Sequence, residues 1–279
     1  MRFSKMQACG NDFVIVEERE LAEGEDRGEL ARRLCDRHYG IGGDGLLILR
    51  RGTPAKMDME IYNADGGRAE ICGNGVRCAG KYAWDHGWTR EKQCQIESDG
   101  GLKTAERLTT EGKAAVIRVD MGIPWFETKT GDENATVWSL ASAGMRLPVK
   151  VVNGWRVICV SMGNPHAVAL LRREDEWPVL TAGPLLEKAE EFPGGTNVEF
   201  VKVLDRKRIS MRVWERGVGE TLACGSGACA AAAVCMQKGL TDDEITVTLL
   251  GGELKVYRQP STGRYFLTGQ AVTVFEGVT

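Results

Sequence analysis

Two stretches of the chain, CGNGVRCAG from Cys72 and CGSGACAAA from Cys224, share one pattern: cysteine, glycine, a small polar residue, glycine, then a run with helical character. A cysteine at the start of a helix sits beside backbone N–H groups that lack intrahelical partners, at the positive end of the helix dipole. Both features favour the thiolate. The same N–H groups suit a small anion such as a carboxylate, and the glycines let the backbone approach it closely. Each stretch therefore offers a thiol or thiolate next to a carboxylate cradle. If the two turns face each other, one bound molecule has a sulfur on each side. Inverting a stereocentre that carries a hydrogen needs a base on one face and an acid on the other. Fixed N–H dipoles at the carboxylate would stabilise the charge of the carbanion. The pattern points to a racemase or epimerase that uses two thiols.

Other chemistries fit less well. Cys78, Cys229 and Cys235 lie further along the two helical runs and read as buried structural cysteines. A zinc site would favour C-x-x-C pairs or clustered histidines. The chain has three histidines, and its spacings are Cys72 to Cys78 and Cys224 to Cys229. No metal is therefore expected. GIGGDG (Gly40–Gly45) matches a dinucleotide fingerprint letter for letter, but it follows a helix-like segment and precedes the strand-like LLILR. That fingerprint needs the strand first and the helix after. A papain-like Cys/His pair would leave the second turn unexplained.

The elements around the two turns repeat as well. Cys72 and Cys224 are 152 residues apart, and at that offset MEIYNADG (Met59–Gly66) falls on MRVWERGV (Met211–Val218). HGWT falls on KGLT, and GGDGLLIL on GGTNVEFV; with one extra residue, CGNDFVIV falls on MGNPHAVA. The matches run in the same order in both halves, which implies a duplicated unit of domain size. MEIYNA and MRVWER alternate as strands do. Gly87 and Gly239 stand where a helix C-terminus wants a left-handed residue. The second helical run is almost wholly small or apolar and should be buried all round. The rest reads as short strands, which gives an α+β chain of two pseudo-symmetric β-rich domains, each a barrel-like mixed sheet around a central helix. Glu127–Gly144 is the most linker-like segment.

Bulk properties set outer limits. The chain has 279 residues, with 43% hydrophobic and 27% charged, as in ordinary globular proteins. A net charge of −3, with no basic stripe, gives no reason to expect nucleic acid. No run approaches the ~18 apolar residues of a membrane span. MRFSKMQACGNDF lacks an apolar h-region, so no signal peptide is expected. Nine cysteines without an export signal read as reduced thiols of a cytoplasmic protein.

YNADGGRAEICGNGVRC, VSMGNPHAV, GTNVEF and ERGVGETLACGSGACA, together with the opening FSKMQACGNDF and the closing TGQAVTVFEG, resemble the diaminopimelate epimerase family over nearly the whole chain. The resemblance implies an isomerase that works without pyridoxal phosphate or any other cofactor. It would convert LL-2,6-diaminopimelate to the meso form in lysine and peptidoglycan precursor synthesis, with Cys72 and Cys224 as the acid/base pair. It implies that Gly73 and Asn74, and likewise Gly225 and Ser226, hold the carboxylate at the reacting carbon. Asn11, Asn63, Asn164, Asn197 and Arg216 would bind the far amino acid end. Glu215 would contact substrate and, with His166, set the thiol protonation states. The far zwitterion needs donors, a cation for its carboxylate and an anion for its ammonium group, which these residue types supply. The resemblance further implies a homodimer and a C-terminal strand that returns to the first domain. The domains would then be residues 1–122 with 270–279, and 123–269. Many members of the family carry Gln where this chain has Gly45, which cannot make a side-chain contact. The rival readings are an epimerase of another amino acid with the same cysteine pair, and a non-catalytic amino acid binding protein of the same fold.

Overall fold

The computed structural model describes residues 1–53, 55–70, 72–126 and 147–279. The linker-like segment Glu127–Gly144 lies outside the described residues. The chain forms two compact units, Met1–Val119 with Thr268–Thr279, and Asp120–Leu267.

The first unit is built on β1 (Arg2–Ala8), β2 (Asn11–Glu17), α1 (Arg27–Cys35), β3 (Gly45–Arg51), β4 (Lys56–Asn63), β5 (Arg68–Ala69), α2 (Gly73–Asp85), β6 (Gln93–Ser98), β7 (Gly101–Glu111) and β8 (Ala114–Gly122). The last strand of the chain, β18 (Tyr265–Val278), completes it. β2 and β3 pair in parallel, as do β4 and β6, while β1–β2, β3–β4, β6–β7 and β7–β8 are antiparallel. β18 pairs with both β1 and β8. The ring β1-β2-β3-β4-β6-β7-β8-β18 therefore closes on itself and leaves no open edge. α2 fills it, with every residue from Gly73 to Trp84 buried. α1 covers the outside, where Leu30, Ala31 and Leu34 pack on Val14, Val16, Leu46 and Ile48. β2 and β3 thus have helices on both faces, so Phe13–Val16 and Gly45–Leu49 are buried without alternation.

The second unit repeats this order. It holds β9 (Trp125–Phe126), β10 (Lys150–Val152), β11 (Trp155–Ser161), β12 (Pro165–Leu171), α3 (Val179–Glu187), β13 (Asn197–Asp205), β14 (Arg208–Glu215), β15 (Gly219–Thr221), α4 (Gly225–Gln237), β16 (Glu244–Leu249) and β17 (Gly252–Arg258). β12–β13 and β14–β16 are parallel, and β13–β14 and β16–β17 antiparallel, as in the first unit. The bounds of α1 and α3, α2 and α4, and β4 and β14 each differ by the 152 residues that separate the cysteines. α4 is buried from Gly225 to Met236, in agreement with its small and apolar composition. Gly87 and Gly239 follow the two helices at φ 65° and 68°, the left-handed conformation expected there.

The burial of α2 contradicts its composition, since it carries Arg77 and Lys81 at 0% and 1% exposure. Such charges are tolerated inside only with partners. The Arg77 guanidinium donates to Asn74 Oδ1 at 2.7 Å and to the carbonyls of Gly73 and Gln270 at 3.4 Å each. Lys81 pairs with Asp85 one turn on. Cys78 and Cys235 are also buried, which pushes each thiol up to about 12 and keeps it unreactive.

Candidate active site

Cys224 is the N-cap of α4, with extended backbone at φ −122° and ψ 117°. Its Sγ accepts from the Gly227 N–H at 3.4 Å, where an N-cap oxygen would normally sit. Ser226 Oγ lies 3.5 Å from the sulfur and accepts from Asn164 Nδ2 at 3.3 Å. Asn164 Oδ1 is 3.0 Å from His166 Nε2, and His166 Nδ1 is 2.6 Å from Glu199 Oε1. β12 delivers His166 and β13 delivers Glu199. Alternation along β13 sends Val198 and Phe200 to the α3 side and Glu199 to the α4 side. Glu215, at the end of β14, accepts from the Thr221 hydroxyl and is hydrogen-bonded to Cys224.

These surroundings reverse the thiolate expectation at Cys224. Burial raises its thiol well above the ordinary range, and the Glu215 and Glu199 carboxylates raise it further. The Ser226 hydroxyl and the Gly227 N–H oppose this but do not overcome it. Cys224 is therefore a thiol at neutral pH. Burial likewise raises the Glu215 carboxyl, against its hydrogen bonds with Thr221 and Cys224.

Glycine is required at 227 for a packing reason. A Cβ there would lie 2.6 Å from Glu199 Oε1 and 3.3 Å from Cys224 Sγ. At the matching Gly75, the nearest atoms would be Cys72 Cβ and Leu47 Cδ2, both at 3.4 Å, an ordinary contact. Gly227→Ala is expected to destabilise the chain by about 1–3 kcal/mol, as overpacking does. Gly75→Ala is expected to melt at or slightly above the wild-type temperature, since Ala gains about 0.5–1 kcal/mol over Gly in a helix. Thermal melting of both variants checks the contrast.

Cys72 caps α2 in the same way and accepts from the Gly75 N–H at 3.4 Å. Asn11 Oδ1 lies 3.7 Å from its sulfur and accepts from Asn74 Nδ2 at 3.0 Å. Asp44 Oδ2 accepts from Asn11 Nδ2 at 2.9 Å, which fixes the amide with its oxygen toward the turn. Asp44 is itself held by Arg37 at 2.7 Å. Asn164 presents its NH₂ to the second turn where Asn11 presents its oxygen to the first.

Asn63 ends β4 in a tight turn closed by backbone bonds from Asn63 N to Gly67 O and from Gly66 N to Asn63 O. Asn197 donates to Pro165 O at 3.1 Å and accepts from the Arg216 N–H at 2.9 Å, so its amide holds two segments together. Glu187 supports the same loop by accepting from Gly217 N at 2.8 Å and Trp214 Nε1 at 2.7 Å. Arg216 donates to Gly194 O at 3.3 Å.

A family model for diaminopimelate epimerase matches residues 3–126 and 158–274. The chain belongs to the diaminopimelate epimerase family. A diaminopimelate epimerase of Acetivibrio thermocellus is 42% identical over 278 residues, covering 99% of this chain and 98% of that protein. The diaminopimelate epimerase of Moorella thermoacetica is also 42% identical, with 99% and 98% covered. Among solved structures, a hydroxyproline epimerase from Agrobacterium vitis superposes with a TM-score of 0.71 at 13% identity, covering 99% of this chain and 91% of that one. The structure of a protein described as a predicted epimerase from Pseudomonas aeruginosa gives 0.70 at 15% identity, covering 100% and 98%. At such identities the likeness is one of fold.

Within the diaminopimelate epimerase frame, Gly45 has a local cause. A Cβ at that position would lie 2.8 Å from Tyr62 O, so any side chain there requires the strand to shift. Asp44, Glu187 and Glu199 belong to the polar scaffold although sequence reasoning assigns them no role. For Glu199 there is a signal: it is the charged residue inside the otherwise strand-like NVEFV, at the repeat position of Leu47.

Proposed function

We infer that the chain epimerises LL-2,6-diaminopimelate to the meso form by thiol chemistry, in the supply of lysine and peptidoglycan precursors. The observation that carries this reading is a cysteine N-cap on the central helix of each unit, in a chain of the diaminopimelate epimerase family. One sulfur, as thiolate, removes the α-proton. The other, as thiol, delivers a proton to the opposite face. The α-carbon is inverted, and each sulfur ends in the protonation state that the other began in. Cys224 is suited to start as the acid, because its surroundings keep the proton on sulfur. The Gly73–Asn74 and Gly225–Ser226 N–H groups take the α-carboxylate, whose charge grows as the carbanion forms. Asn11, Asn63, Asn164, Asn197 and Arg216 take the far zwitterion, with Asn197 acting partly by holding Arg216 in place. Glu215 and His166 tune the sulfur chemistry, and no cofactor takes part. Among the described residues no helix is long and apolar enough to cross a membrane. We further propose a cytoplasmic homodimer, in line with the family resemblance.

The test is incubation with LL-diaminopimelate in D₂O without added cofactor. Deuterium at the α-carbon with inverted configuration is the expected result. Tight binding without exchange would make the chain a binding protein, and exchange of other amino acids alone would change the substrate.

A further inference from the structure

The ground behind the two thiol turns differs. In the first unit Ile15 pairs with Leu47 and Phe13 with Gly45 across parallel strands. In the second the corresponding pairs are Val168 with Glu199 and His166 with Asn197. A Cβ added at Gly75 meets Leu47, and one added at Gly227 meets Glu199, so Leu47 and Glu199 hold the same place behind their turns. Phe13 and Leu47 are an apolar pair with no bearing on a proton. His166 and Glu199 are an ionisable pair whose side chains are both 0% exposed.

Burying a carboxylate and an imidazole is costly, and an apolar pair of similar size often serves stability as well or better. The first unit shows that this fold accepts such a pair. Glu199 also has a second oxygen, Oε2, that is buried without a hydrogen-bond partner among the described residues. Its first oxygen is committed to His166, and through His166 Nε2 to the Asn164 amide, Ser226 and the Cys224 sulfur. Every link in this chain lies at hydrogen-bond distance and ends on one thiol.

We propose that Glu199 is a positioning residue for Cys224. It locks His166 so that the Asn164 amide and the Ser226 hydroxyl are fixed against the sulfur. At the first turn Leu47 holds the place of Glu199, and Asn11 is fixed by Asp44 instead. The proposal rests on the reading of Cys224 as an acid/base group. The ionisable groups facing the sulfur are Glu215 from β14 and Glu199 from β13, with His166 from β12 bonded to Glu199. A nearby carboxylate disfavours thiolate, so removing the Glu199 charge lets Cys224 ionise at lower pH.

The experiment is alkylation of the whole protein by iodoacetamide across pH, read at each cysteine by mass spectrometry, with Cys72 as the reference in the same molecule. In Glu199→Gln the midpoint for Cys224 is expected to fall by ~1 pH unit, raising its rate below the midpoint by about tenfold. The Cys72 midpoint stays in place. Epimerisation is expected to fall by ~10–10²-fold and its pH profile to move with the Cys224 midpoint. The double variant His166→Phe with Glu199→Leu copies the apolar pair of the first unit and should fold if Glu199→Gln does not. It should shift the Cys224 midpoint in the same direction. An unmoved Cys224 midpoint in a folded variant overturns the proposal. So does an equal shift at Cys72, which would mean a general disturbance. Loss of fold in both variants would make the pair structural and overturn it too. Alkylation needs no substrate, so the shift in the variants, together with a wild type that does not act on diaminopimelate, would sink the proposed reaction alone.

Discussion

Cys72→Ala and Cys224→Ala are each expected to lose epimerisation of LL-diaminopimelate by at least ~10²-fold, the scale of one positioned acid or base. Neither thiol can stand in for the other, because each serves one face of the α-carbon. The double variant should lose far less than the product of the two single losses, since groups that act as a unit are not additive. Each substitution also removes the cap that receives the Gly75 or Gly227 N–H. An uncapped helix costs about 1 kcal/mol, so melting should fall by a few degrees at most. The two variants separate further in D₂O. Each retains one sulfur and should wash deuterium into one epimer with retention of configuration, and the two should prefer opposite epimers. Near-wild-type epimerisation by either folded variant would refute the two-thiol reaction. Equal exchange of the same epimer by both would refute it as well, since one face would then suffice.

How much of this is legible in the sequence depends on whether a signal is local. The strand alternation of MEIYNA and the glycines at 87 and 239 are local, and β4, α2 and α4 fall where they indicate. The duplication is also legible, because a shared offset survives wherever the two units need the same turn. The character of α2 is not, because GVRCAGKYAWDH looks half polar. Its burial depends on Arg77 finding Asn74 and backbone carbonyls, partners that only the folded chain supplies. The protonation of Cys224 misleads for the same reason. A helix start argues for thiolate, but burial in the folded unit outweighs it, and Glu215 and Glu199 add to this from other strands. The bonds from the Asn197 amide to Pro165 O and from the Arg216 N–H are not legible in GTNVEF either, because both partners come from other segments.

Arg216 should decide which substrates are accepted. Its backbone is held by Asn197, and the next N–H by Glu187, so the guanidinium starts from a fixed base. A guanidinium can grip a carboxylate with two parallel bonds, and an ammonium cannot. A hydrogen bond to a charged group contributes about 1.5–3 kcal/mol. Arg216→Met is therefore expected to lower kcat/KM for diaminopimelate by ~10–10²-fold for each bond lost, and Arg216→Lys to recover only a small part. Lysine is diaminopimelate without the far carboxylate. In the wild type it leaves the Arg216 site unmatched and should be a very poor substrate. Removing a group from the protein and its partner from the substrate completes a cycle, and the two losses should overlap rather than add. Arg216→Met should thus cost diaminopimelate heavily and lysine little, as measured by α-hydrogen exchange in D₂O. Equal losses for the two substrates would place Arg216 elsewhere in the reaction. Comparable wild-type kcat/KM values would show that the far carboxylate is not read at all.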